Sequence, residues 1–165
     1  LTEQDFKRAK ILANAKQGSG HDCFLKGIGV FMVIKAKEKF WKQFDRYHFK
    51  DTVSSTSTMH MITSVDLESW LPNSISKETI KDLKSDIEWY KHYDSLGDKK
   101  ITNELFEQIT DKLPMGLYYT RAITLNYLQI KSMYFQRRNH KLKEWRELCK
   151  FFESLPYFKE WILDV

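Results

Sequence analysis

The stretch Gly27-Ile28-Gly29-Val30-Phe31-Met32-Val33-Ile34 decides the fold. It is nearly all apolar and rich in β-branched side chains, and it is too short to suit a typical helix. Such a run predicts a strand buried on both faces, at the centre of a sheet. It is the longest uncharged apolar run in the chain, far short of the roughly 20 residues that span a bilayer, so no membrane span is expected.

Helical patterns surround this strand. Glu3 to Lys16 carries Phe6, Ala9, Ile11, Leu12, Ala13 and Ala15, with Thr2 placed to cap its start and Gly18-Ser19-Gly20 to end it. Lys37 to Tyr47 repeats Phe40, Trp41, Phe44 and Tyr47 at helical spacing, which predicts a helix with Gln43 and Arg46 together on another face. Asp51 to His60 is dense in Ser and Thr, whose hydroxyls compete with helix, and reads as an extended or turn segment. Leu67 to Ser76 reads as a loop, and Lys77 to Ser95 as a helix capped by Ser76 with Ile80, Leu83, Ile87 and Tyr90 on one stripe. A shorter helix is expected from Thr102 to about Lys112, before Pro114. Leu117 to Asn126 suits a strand, Tyr127 onward a helix, and Leu142, Trp145, Leu148, Cys149 and Phe152 a last amphipathic helix before Pro156. The expectation is one α+β domain over residues 1–165, a central sheet flanked by helices.

Composition narrows the function. The 165 residues are 42% hydrophobic and 15% aromatic, enough for a packed core and unlike a disordered or collagenous chain. Lys and Arg outnumber Asp and Glu by 27 to 22, a charge of +5 that favours anionic partners, and a phosphate-bearing small molecule or nucleic acid would satisfy it equally. Two distant cysteines, Cys23 and Cys149, make no disulfide framework, and no secretory apolar stretch opens the sequence, so a cytoplasmic setting is expected. Cys149 sits on an apolar helical stripe and reads as core. The five histidines lack metal-ligand spacing, and neither a P-loop, a GxGxxG nor a GxSxG occurs. The remaining polar groups lie at element ends, where sites are assembled: His21, Gln43, Arg46, Ser54 to Ser57, Asn126 and Arg137-Arg138.

In that order these residues resemble the flavin-dependent thymidylate synthases. Gly20-His21-Asp22, Phe24, the apolar run to Ile34, Gln43 and Arg46 follow one another as in that family, with His21 and Arg46 separated by 25 residues. Leu113-Pro114, Tyr118, Asn126 at a helix start, Arg137 at its end, His140 and Trp145 continue the likeness to about Phe158. The resemblance implies the family's α+β fold and methylation of deoxyuridylate or a related pyrimidine nucleotide, using FAD, with NADPH and methylenetetrahydrofolate if the synthase reaction is retained. It also implies that His21, Arg46, His48 and Asn126 bind the flavin, and that Gln43, Ser55, Ser57 and Arg137 face the nucleotide, Gln43 and Arg137 taking part in catalysis. Hydride passes from flavin to pyrimidine in that chemistry, so no protein nucleophile is implied. The family's sites are built between subunits of a homotetramer, and the large aromatic and aliphatic groups of the Tyr127 to Tyr134 helix and of the strand before it are expected to be partly buried between subunits.

The signature differs from the family's. Tyr47 and His48 stand where it has His and Arg, and with one residue inserted before Ser54, Met59 replaces an arginine. Thr110 replaces another that grips the nucleotide phosphate. Charge-assisted hydrogen bonds are about twice as strong as neutral ones, so weakened deoxyuridylate binding is expected. The alternative expectation is a divergent, non-catalytic relative that binds a nucleotide, nucleic acid or protein.

Overall fold

Thr2 begins the first helix as the spacing predicts. Its hydroxyl accepts from the Asp5 amide while the Asp5 carboxylate accepts from the Thr2 amide, a reciprocal cap for α1 (Glu3–Ala13). This geometry comes from a computed structural model that describes residues 2–16 and 18–164. Gly20, with φ near +75°, turns the chain into a 3-10 helix (His21–Gly27). There follow β1 (Gly29–Lys37), α2 (Glu38–Phe44), β2 (Asp51–Ser55), α3 (Thr58–Met61), α4 (Leu67–Trp70), α5 (Lys77–Ser95) and α6 (Lys99–Asp111). Then come β3 (Tyr118–Asn126), α7 (Tyr127–Arg137), α8 (Lys143–Glu153) and a terminal π-helical turn (Lys159–Leu163).

The strands pair in the order β1-β3-β2. The Tyr127 amide donates to the Ile28 carbonyl, and at the other end of the pair the Glu38 amide donates to the Leu117 carbonyl, so β1 and β3 run antiparallel. The central strand is therefore β3, and β1 is an edge, contrary to the reading of its apolar run. Nor is β1 covered on both faces: Met32 and Ala36 are buried, whereas Phe31 and Val33 each expose 63% of their surface. A continuous apolar run does not by itself record which of its faces is covered.

Other boundaries shift for local reasons. The helix expected to Tyr47 ends at Phe44, which leaves Arg46 in the following turn and removes the helical face it was to share with Gln43. The Ser/Thr-rich segment is first a strand and then a short helix, because the Ser57 hydroxyl accepts from the His60 amide and caps α3. The segment from Leu67 is not all loop, since Asp66 caps the single turn of α4. α5 has the predicted bounds and its Ser76 cap.

The chain divides into two compact units, and each strand contributes residues to both. The first comprises Leu1–Val33, Phe44–Val53 and Ala122–Val165. Its interior holds Leu25, Phe44, Ile130, Met133, Tyr134, Trp145, Phe152, Phe158 and Ile162. Tyr127, Ile130, Met133 and Tyr134 of α7 are buried inside this unit, while Leu128 on the same helix and most of β3 remain half-buried. Lys131 on the same helix donates to the Ala13 carbonyl (2.6 Å) and to the Asp22 carboxylate (2.8 Å), tying α7 to the end of α1 and to the 3-10 helix.

The second unit comprises Ile34–Gln43 and Ser54–Arg121. Helices α5 and α6 pack together there, and Ile62, Leu67, Leu71, Leu83, Ile87, Ile109 and Leu117 form its core. The Trp41 indole on α2 is also buried in this unit and donates to the carbonyls of Ala36 and Tyr119. Among the described residues no helix is long and apolar enough to cross a membrane.

Candidate functional site

Asn126 sits at the junction of β3 and α7, with extended backbone angles that end the strand and open the helix. Its side-chain oxygen accepts from the Gln129 amide (3.1 Å), and the Gln129 side-chain oxygen accepts from the Asn126 amide (2.9 Å). This reciprocal cap leaves the Asn126 NH2 as the donor it can offer a ligand. The Gln129 NH2 donates in turn to the Phe49 carbonyl, fixing the turn after α2 against the start of α7.

That arrangement encloses a cavity of about 530 Å³ within the first unit. Asn126, Leu128, Gln129, Ser132 and Met133 line it from the α7 side, and Tyr47, His48, Phe49 and Lys50 from the turn, with Lys26 at the end of the 3-10 helix. Apolar surface comes from Phe49, Leu128 and Met133. Phe49 is 90% exposed, an aromatic ring that its own chain leaves uncovered. Lys50 is committed to the protein: its ammonium pairs with Asp45 at 3.0 Å and lies 5.3 Å from the Phe44 ring centre. Lys26 is exposed at the rim.

Arg137 stands in the last turn of α7, half-buried. Its Nε donates to the Tyr47 hydroxyl (2.8 Å), which donates to the Gln136 side-chain oxygen (2.9 Å). The guanidinium lies 4.9 Å from the Trp145 ring centre and 5.6 Å from that of Tyr47. Trp145 is buried and stacks on Phe44, so the cation rests on a rigid aromatic floor. His140 follows Arg137, with Nδ1 accepting from the Leu142 amide. Burial first, then the charges of Arg137, Arg146 and Lys141, holds its pKa below the ordinary histidine value. Tyr47 therefore belongs to the cavity wall and to the arginine clamp at once.

Of the residues singled out in the sequence, His48 and Asn126 line this cavity, and Arg137 is linked to it through Tyr47. His21, exposed at the start of the 3-10 helix, and Arg46, exposed in the turn after α2, are not among the lining residues. Gln43, Ser55 and Ser57 belong to the other unit: Gln43 is half-buried near the end of α2, Ser55 ends β2, and Ser57 caps α3. Sequence reasoning missed the cavity roles of Gln129, Phe49 and Lys26. Gln129 had a readable signal, because Asn followed by Gln three positions later is a capping-box spacing. Cys149 is buried, and burial pushes its thiol up to about 11, which fits a core role. Among the described residues no group of three or more His, Cys, Asp or Glu side chains is placed to hold a metal ion.

No protein-family model matches the chain, and no curated protein sequence matches it. Solved structures do. Flavin-dependent thymidylate synthase from Helicobacter pylori, complexed with FAD and dUMP, superposes with a TM-score of 0.68 at 16% identity, covering 99% of this chain and 83% of that one. Another structure of thymidylate synthase X from Helicobacter pylori, also with FAD and dUMP, gives 0.67 at 17% identity, covering 98% of this chain and 82% of that one. The chain thus has an α+β fold like that of the flavin-dependent thymidylate synthases.

Proposed function

We propose that this chain is a flavin-dependent thymidylate synthase-like protein, which holds FAD at the cavity of the first unit and presents Arg137 to deoxyuridylate or a related pyrimidine nucleotide. One observation carries the reading: within a single unit, a cavity lined by His48 and Asn126 adjoins an arginine fixed at its edge by Tyr47, in a chain with this fold.

The lining suits a flavin. Phe49, Leu128 and Met133 supply apolar surface for a ring face, while Lys26, His48 and the Asn126 NH2 supply donors for its polar edge. FAD, when bound, supplies hydride-transfer chemistry. The chain's own groups bind and orient: Asn126 donates through its NH2, and Lys26 places positive charge at the rim. Arg137, its Nε already held, offers its terminal N–H groups as a fork for a phosphate or a pyrimidine oxygen. NADPH and methylenetetrahydrofolate belong to the proposal as reductant and carbon donor. Homotetramer assembly belongs to it too, supported by the exposed Phe31 and Val33 on β1.

A second reading, a relative that binds a nucleotide without methylating it, is favoured by Met59 and Thr110. Met59 is 64% exposed and carries no charge, and the Thr110 hydroxyl bonds the Phe106 and Glu107 carbonyls of its own helix. Titration of the purified protein with FAD, followed by tritium release from labelled deoxyuridylate with NADPH and methylenetetrahydrofolate, separates the two. FAD binding with tritium release supports the synthase, FAD binding without release supports the non-catalytic relative, and failure to bind FAD overturns the synthase reading.

A further inference from the structure

Arg137 is followed by a second arginine that the proposed site does not use. Arg138 lies with its guanidinium 5.3 Å from the Phe135 ring centre and 5.9 Å from that of Tyr134, at the edge of a separate cavity of about 400 Å³. Lys143, Arg146 and Lys150 join it from the outer face of α8, so four cations line the space against the two carboxylates Glu147 and Glu153. Both carboxylates are already engaged: Glu147 pairs with Lys143 at 3.1 Å, and Glu153 accepts from the Tyr134 hydroxyl at 2.8 Å.

Arg146 is set in place by the backbone. Its Nη1 donates to the carbonyls of His140 (2.7 Å) and Lys141 (2.9 Å), which fixes the guanidinium plane and leaves its other N–H groups to donate elsewhere. Two guanidiniums and an ammonium around one space outnumber the charges a single carboxylate could satisfy, and planar forks match phosphate oxygens.

We infer that this cavity binds the phosphate groups of a phosphorylated small molecule, a diphosphate or longer, through Arg138, Arg146 and Lys150. The ligand is recognised by its charge and oxygen geometry, since the space is walled chiefly by charged side chains.

The test is calorimetric titration of the full chain at low ionic strength with inorganic pyrophosphate, inorganic phosphate and a nucleoside triphosphate. Pyrophosphate is expected to saturate a single site and to bind at least about tenfold more tightly than phosphate, each added charge-assisted contact contributing on that scale. A nucleoside triphosphate that binds no better than pyrophosphate identifies the phosphates alone as the ligand, and one that binds far better adds the nucleoside. Arg138→Gln and Lys150→Gln, both at exposed positions where the fold tolerates change, should each weaken pyrophosphate binding about tenfold. Arg146→Lys, which keeps the charge and loses the fork, should weaken it as well. Lys81→Gln on α5, an equal change in net charge, should leave it unaltered. Absence of saturable binding at millimolar pyrophosphate overturns the inference. So does binding that is unaffected by Arg138→Gln and Lys150→Gln, or binding that Tyr47→Phe abolishes while Arg138→Gln does not.

Discussion

The Tyr47 hydroxyl accepts the Nε–H of Arg137 at 2.8 Å while its ring forms part of the wall of the cavity that holds His48 and Asn126. One side chain thereby couples the candidate flavin site to the candidate nucleotide arginine, across 90 positions of sequence. With Trp145 beneath it, the guanidinium has lost most of its freedom before any ligand arrives, and a prearranged cation binds an anion with a smaller entropic cost.

Tyr47→Phe tests this coupling. The phenyl ring keeps its place against Trp145, and only the hydroxyl is lost, leaving the Arg137 Nε without that acceptor. Hydrogen bonds to charged groups contribute about 1.5–3 kcal/mol. Deoxyuridylate affinity, measured by calorimetry in the presence of FAD, should fall about tenfold or more while affinity for FAD alone changes little. An unchanged nucleotide affinity would show that Arg137 does not meet the nucleotide.

The junction of α1, the 3-10 helix and α7 rests on Lys131. Its ammonium is mostly shielded from water and donates to both Asp22 and the Ala13 carbonyl. Lys131→Met keeps the apolar stem and strands both acceptors, so a loss of about 1.5–3 kcal/mol is expected in urea unfolding. Asp22→Asn, which keeps one hydrogen bond, should cost less. Equal losses for the two variants would place the stabilisation in the ion pair alone.

How much of this was legible in the sequence depends on the range of each interaction. The bounds of α5 follow from Ser76 and from the stripe through Leu83 and Ile87, all local signals. Asn126 was readable as the point where strand becomes helix, because its cap is made within three residues. The end of α2 was not readable. Phe40, Trp41, Phe44 and Tyr47 keep helical spacing, yet Tyr47 reaches the Phe44 ring from the turn, at 6.3 Å, so the rings pack without the helix continuing. The place of β1 at the sheet edge depends on pairing with β3, about which a single apolar run carries no information. The arginine clamp was illegible for the same reason: nothing near Arg137 in sequence announces Tyr47.

Alkaline stability should fall in a definite window. Burial, and the nearby Glu153 charge, raises the Cys149 thiol from an ordinary 9.0 to about 11. A raised folded pKa means that the neutral thiol is favoured in the folded state. Its stability contribution is complete below pH 9 and is lost as pH rises through about 11, with a limit of about 3 kcal/mol. Tyr127, raised by burial and then by Glu160, and Tyr134, raised by burial and then by its bond to Glu153, push the same way. Chemical denaturation between pH 8 and 11 should show the loss, reduced in Cys149→Ser relative to that variant's own neutral-pH stability. A stability curve that is flat over this range, or equally steep in the variant, would remove Cys149 as a cause.

The replacements at Met59 and Thr110 give the sharpest test of nucleotide recognition. On the register that the resemblance implies, with one residue inserted before Ser54, each stands where that family carries an arginine; Met59 is largely exposed, and the Thr110 hydroxyl serves only carbonyls of its own helix. Arg is also a better helix former than Thr, so Thr110→Arg should not lower the stability of α6. If both positions approach the nucleotide phosphate, each restored charge-assisted contact contributes about 1.5–3 kcal/mol, and the pair should tighten deoxyuridylate by about a hundredfold or more. A general rise in positive charge would tighten inorganic phosphate to the same degree and would fade with added salt. A specific contact raises deoxyuridylate affinity above that of phosphate and persists at physiological ionic strength. Calorimetry of Met59→Arg, Thr110→Arg and the double variant with both ligands distinguishes the two. A gain from Thr110→Arg without one from Met59→Arg would mean that the register across Ser54 to Met59 is not the one that puts an arginine at Met59, and no gain from either would mean that neither position meets the nucleotide phosphate.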